Sequence, residues 1–142
     1  MARKKRNFIA QSYYHIYNRG NNKNIVFRQS EDKEIFIKSL YSYSRRFDIE
    51  ITSYCIMQNH YHLIIKTGAR PQDVSILMHD FTTKFCSYLN KKYNNVGHVF
   101  QGRYKAKFIE SESNLLRVKL YLKKNPEKAG YVKNSEDYKW MK

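Results

Sequence analysis

His60 and His62 are separated only by Tyr61. On a strand alternate side chains share a face, so the two imidazoles point the same way and can share one metal ion. Tyr121 and Asn125 stand four residues apart and share a face if the segment is helical. The Asn125 carbonyl oxygen is an acceptable third ligand for a hard cation such as Mg²⁺ or Mn²⁺. A phenol is a weak nucleophile until a base takes its proton or a metal polarises its target. If the two faces meet, Tyr121 can attack a phosphate and keep the energy of the broken link as a phosphotyrosine bond. Each part alone is a weak signal. His-x-His also occurs as two ordinary polar residues at a strand start, and Tyr121 is one of 13 tyrosines.

Charge points to the same class of target. The 142 residues carry 27 Lys and Arg against 12 Asp and Glu, a net charge of +15 that favours a polyanionic partner. Tyrosines and phenylalanines beyond those needed for packing offer stacking surfaces for bases. Apolar residues make up 42% of the chain, enough for a packed core rather than a disordered segment. Cys55 and Cys86 form no C-x-x-C pair, so thiolate zinc is not expected and buried free thiols are. No run approaches the roughly 18 apolar residues of a membrane span, and the basic start lacks a signal-peptide core. The expectation is a cytoplasmic protein that does not engage membranes.

The elements that must position these residues follow from periodicity. One domain is expected over 1–142, with a basic arm at 1–11 and a tail at 133–142. The arm reads equally as a solvated tail or as a phosphate contact. Ser12 to Asn18 reads as a strand closed by the turn Arg19-Gly20-Asn21-Asn22. Ser30 can cap a helix reaching about Phe47, with Phe36, Leu40, Tyr43 and Phe47 at helical spacing. Ile49 to Met57 and His60 to Lys66 read as strands, antiparallel because their connection is too short for a crossover. The second has apolar residues on both faces, which makes it central, and the last helix is the natural cover for its histidine face. Asp73 can cap a long helix with an apolar stripe from Val74 to Leu89. A loop spans Asn94 to Tyr104, followed by a strand from Lys105 to Ile109. Ser111 or Ser113 starts the last helix, which Pro126 ends or distorts. Tyr138 and Trp140 are expected to pack back. The fold class is therefore α+β, a ferredoxin-like βαββαβ antiparallel sheet with helices on one face, plus a C-terminal helix that carries the tyrosine.

Four blocks in register resemble the single-tyrosine HUH transposases, in the branch of REP-associated tyrosine transposases. They are Tyr14-His15-Ile16 with Asn18-Arg19-Gly20-Asn21-Asn22; Met57 to Leu63; Gly97 to Lys105; and Tyr121 through Asn125-Pro126 to Ala129-Gly130. The resemblance covers roughly residues 12–132. It implies an enzyme that nicks single-stranded DNA, often beside a hairpin, using Mg²⁺ or Mn²⁺ and leaving a 5′-phosphotyrosine. By position it makes His60 and His62 metal ligands, Tyr121 the nucleophile and Asn125 the third polar ligand. Gln101, Arg103 and Lys105, with Arg19, Asn21 and Asn22, would line the DNA path. Lys123 and Lys124 flank the tyrosine and either hold phosphate or are solvated helix-end cations. Relatives act as dimers or as monomers, so both states stay open. The family often has proline where Gln58 stands and histidine where Lys123 stands. Its usual Asn-Pro-Val-Arg-Ala-Gly appears as Asn125-Pro126-Glu127-Lys128-Ala129-Gly130.

Two other classes fit parts of the pattern. A basic ferredoxin-like sheet can bind single-stranded nucleic acid without chemistry, through aromatics such as Tyr13 and Tyr17. A phosphoesterase could use His60 and His62 to activate water. His15, His79 and His98 read as structural or DNA-contacting residues.

Overall fold

The computed structural model describes residues 6–142. Its strands are β1 (Tyr13–Arg19), β2 (Ile49–Ile56), β3 (His60–Thr67) and β4 (Lys105–Ile109). Its helices are α1 (Ser30–Ser44), α2 (Asp73–Lys92) and α3 (Glu112–Lys128). The strands form one antiparallel sheet in the order β2-β3-β1-β4. This is the ferredoxin-like arrangement, with β1 and β3 in the interior and β3 carrying apolar residues on both faces.

The two faces of β3 pack against different layers. Tyr61, Leu63 and Ile65 join Phe36 and Leu40 of α1 and Val74, Leu77, Phe81 and Phe85 of α2 in the main core. Ile64 faces the other way and meets Leu122 of α3, with Cys55, Met57, Ile109 and Tyr138. The third helix therefore covers the sheet face opposite α1 and α2. That places Tyr121, one residue before buried Leu122, on the histidine side.

Several helix ends differ from the sequence expectation. The residue preceding α1 is Gln29 rather than Ser30, because the Asp32 carboxylate accepts the Gln29 backbone N–H at 3.1 Å. Gln72 precedes α2, and Asp73 is its first residue. Ser111 caps α3 by accepting the Asn114 N–H at 3.2 Å. Pro126 does not end α3, which continues to Lys128. Its missing N–H removes only one bond near the helix end. The helix stops instead at Gly130, whose φ of +77° allows the N–H groups of Gly130 and Tyr131 to reach the Glu127 and Pro126 carbonyls.

Both chain ends of the described segment are tied down. Phe8 is buried in the main core, and the Arg6 guanidinium lies over the Tyr104 ring. Met1 to Lys5 of the expected arm lie outside the described residues. At the other end Tyr138 donates to the Ile56 carbonyl, and Trp140 and Lys142 pair by backbone bonds with Ile56 and Tyr54 on the outer edge of β2. Cys55 and Cys86 are both free thiols, pushed by burial up to about 12 and about 11.

Candidate active site

On β3 the period of two puts His60 and His62 on the α3 side. Their ring centroids lie 5.2 Å apart with planes at 84°. The Tyr121 ring of α3 stands 5.6 Å from His62, nearly perpendicular to it at 88°. One turn later Asn125 hydrogen-bonds His60. The structure thus brings together Tyr121, Asn125 and both histidines of the motif. Tyr121 is 49% exposed, so its hydroxyl is open to a substrate arriving from solvent.

The protonation of the histidines suits cation binding. Burial, reinforced by His15 and His60, pushes His62 down to about 3. Burial also lowers His60, with the Asn125 bond opposing it. Neutral imidazoles keep a lone pair for a metal at physiological pH. His60 Nδ1 lies 2.7 Å from Asn59 Oδ1, an oxygen that only accepts. With the proton on Nδ1, His60 Nε2 keeps the lone pair that a metal needs. His62 Nδ1 is paired with His15 Nε2 at 2.9 Å, which leaves His62 Nε2 for another partner. Two ring nitrogens and an amide oxygen fit a hard divalent cation that completes its shell with water or phosphate oxygen. Among the described residues no cluster of three His, Cys, Asp or Glu is present; Asn125, which bonds His60, is the amide nearest to hand for a third ligand.

His60, His62 and Tyr121 open onto a cavity of about 840 Å³. Arg19, Gln101, Arg103 and Lys105, all expected on the DNA path, line it together with Tyr121. It is built where the segment 97–104 runs beside the end of β1. Gln101 N–H donates to the Arg19 carbonyl and Asn21 N–H to the Val99 carbonyl, both at 2.9 Å. The Asn18 amide donates to the Gly102 carbonyl at 2.9 Å. Gly20 is required for close approach here, since a Cβ would sit 2.2 Å from the Asn24 carbonyl oxygen. The other expected contacts lie apart. Asn21 lines a different cavity, and Asn22 is exposed at φ +55° in the 3₁₀ turn Asn21–Lys23. Lys123 points to Glu136 of the tail at 3.8 Å, and Lys124 is exposed on α3 outside the cavity.

Three lining residues escaped the sequence reading as site candidates, Asn18, Lys23 and Asn59, and Tyr17 was named only as a base-stacking aromatic of the binding alternative. Beneath them His15 was read only as a structural or DNA-contacting residue, yet it holds His62. Burial and then the charge of Lys107 push His15 down to about 4. Tyr17 pairs with His62 across β1 and β3, with rings 5.9 Å apart. The available signal was the alternation His15-x-Tyr17-x-Arg19, which puts all three on one face of β1. His79 pairs with Asp80 on the exposed side of α2, far from this role.

The profile of the family described as Transposase IS200 like matches residues 8–125, a span that ends on Asn125 and includes both histidines and Tyr121. No curated protein matches the chain. Among solved structures the fold is similar to that of the REP-associated tyrosine transposase bound to a REP hairpin. The TM-score is 0.81 at 17% identity, over 99% of this chain and 82% of that one. It is also similar to a crystal structure from Deinococcus radiodurans assigned as a transposase. There the TM-score is 0.58 at 17% identity, over 84% of this chain and 95% of that one.

Proposed function

The chain belongs to the IS200-like transposase family, and from that premise we propose that it nicks and rejoins single-stranded DNA through Tyr121. The observation that carries this reading is the meeting of Tyr121 with the His60–His62 pair, with Asn125 closing the same site. The cavity beside them is lined by Arg19, Lys23, Arg103 and Lys105 and by no carboxylate, which suits a polyanionic strand. The hairpin carried by the REP-associated relative supports a hairpin-bearing single strand as the substrate.

His60, His62 and Asn125 would hold Mg²⁺ or Mn²⁺. Such an ion supplies positive charge against the scissile phosphate oxygens. The chain's own residues do the rest. Arg19, Arg103 and Lys105 draw in and orient the backbone, so that one phosphorus faces the Tyr121 hydroxyl. Tyr121 Oη forms a bond to phosphorus while the bond from phosphorus to the 3′ oxygen breaks. The phenolic proton leaves to water, and the departing 3′ oxygen takes one from water. The 5′ phosphate stays on Tyr121 until a free 3′-hydroxyl attacks it and reverses the exchange. Because the phosphotyrosine conserves the bond, rejoining needs no outside energy source.

The test is a denaturing gel of the protein with labelled hairpin-bearing single-stranded DNA and Mn²⁺. Wild type is expected to give a metal-dependent covalent band, and Tyr121→Phe none while still binding DNA. Cleavage that persists in Tyr121→Phe would show water as the nucleophile. Tight binding with no adduct from wild type would show a binding protein.

A further inference from the structure

A second cavity, of about 540 Å³, lies on the other side of the strip formed by residues 97–103 and the turn 18–24. Residues 101–103 of the strip line the candidate active site, and residues 97–99 line this one. Likewise Arg19 and Lys23 face the first cavity, and Asn21 and Asn24 the second. Both spaces thus have the segments 18–24 and 97–103 in their walls.

The lining of the second cavity has the chemistry of a nucleobase seat. Its size falls within the range of small-ligand clefts. Asn24 and Asn95 both face it, and their amides each offer a donor and an acceptor. An asparagine amide pairs in bidentate fashion with the N6 and N7 edge of adenine. Ile25 is 54% exposed and Val96 98% exposed, and both line the cavity. Apolar side chains can cover a base unstacked from its neighbours, with stacking left to an aromatic ring or a guanidinium plane. Tyr93 contributes a ring that cannot swing away, because its hydroxyl donates to the buried Asp32 carboxylate. The Arg28 guanidinium lies 4.5 Å over that ring, placed for a phosphate or a base face. No acidic residue lines the space.

We propose that this second cavity seats one unpaired adenine of the DNA strand whose neighbouring phosphates pass the Tyr121 site. The proposal rests on the strand-transfer reading for the identity of the ligand as DNA. It adds a specificity pocket separate from the reacting atoms, so that the strand is held on both sides of the 18–24 turn. Asn24 and Asn95 read the base edge, and Ile25 and Val96 cover its faces.

The test uses a pool of hairpin DNA with randomised unpaired flanks, selected for binding to the Tyr121→Phe protein and to the same protein carrying Asn24→Leu or Asn95→Leu. Both asparagines are exposed, so circular dichroism melts of these variants are expected to match the parent. The parent should enrich adenine at one flank position. In each leucine variant that preference should fall about tenfold, with preferences at other positions kept. Equal adenine enrichment in parent and variants would overturn the proposal, as would no base preference in the flanks of the parent. The fate of the parent reading is read separately, by incubating enriched DNA with wild type and Mn²⁺. Enrichment that depends on Asn24 and Asn95 without any covalent band would leave the adenine seat standing and remove the strand-transfer reading.

Discussion

His15 and His62 are buried neutral, and that choice has a cost that depends on pH. Both have an ordinary value of 6.5, and in the fold they fall to about 4 and about 3. Between those limits the unfolded chain takes up protons that the folded chain refuses. Stability therefore rises with pH across this window and drains away as pH falls from 6.5 toward the folded values. Each unit of difference corresponds to ~1.4 kcal/mol. The urea midpoint of the metal-free protein is expected to drop between neutral pH and about pH 5. In His15→Gln the drop should be shallower. A midpoint that does not move with pH in the wild type would contradict the buried neutral pair.

At the scale of elements, α3 is the lever that sets the site. It is held to the sheet by buried Leu122, with Leu115 and Val118 packed beside it, while Leu116 and Leu120 remain largely exposed. Leu122→Ala should cost about 2–5 kcal/mol by leaving a cavity under the helix. Because Tyr121 and Asn125 ride on the same turns, adduct formation should fall well beyond what the lost stability explains, measured where the variant is still fully folded. An unchanged adduct rate would mean that α3 is positioned by something other than this contact. The helix itself was legible from sequence, since Ser111 and the apolar spacing mark it and Tyr121-x-x-x-Asn125 defines its working face. The histidine face of β3 was legible for the same kind of reason, a simple period. The pairing of His15 with His62 was not, because it depends on the register of β1 against β3, two strands far apart in the chain. Nor was the end of α1 at Ser44. Phe47 keeps the helical spacing of apolar residues, but it packs from the turn that follows.

For the whole molecule, this structure places the candidate site within one chain. Tyr121 stands over the His60–His62 pair of its own sheet, and the tail from Tyr138 to Lys142 closes against β2 behind it. A mixture of Tyr121→Phe protein with protein lacking both His60 and His62 side chains should therefore form no adduct. Recovery of activity on mixing would mean that the tyrosine helix reaches into a partner. The net charge of +15 is spread well beyond the two cavities, over β4 and the exposed side of α3. General attraction to DNA is thus a property of the entire surface, with selectivity left to the cavities.

The strip that divides those cavities is attached largely through its backbone. Asn21 meets Val99, Arg19 meets Gln101 and Gly20 bridges Phe100, all by main-chain groups that every residue except proline can supply. The Arg19 and Gln101 side chains add a bond between the two segments, whereas the exposed side chains of Asn24 and Val96 are not asked to hold the partition together. Mutational drift at these positions can rewrite which nucleotides are accepted while the scaffold keeps its shape. A mobile element whose target ends change over generations could follow them by substitutions on this wall alone, and a laboratory selection for new target sequences would do well to randomise it first.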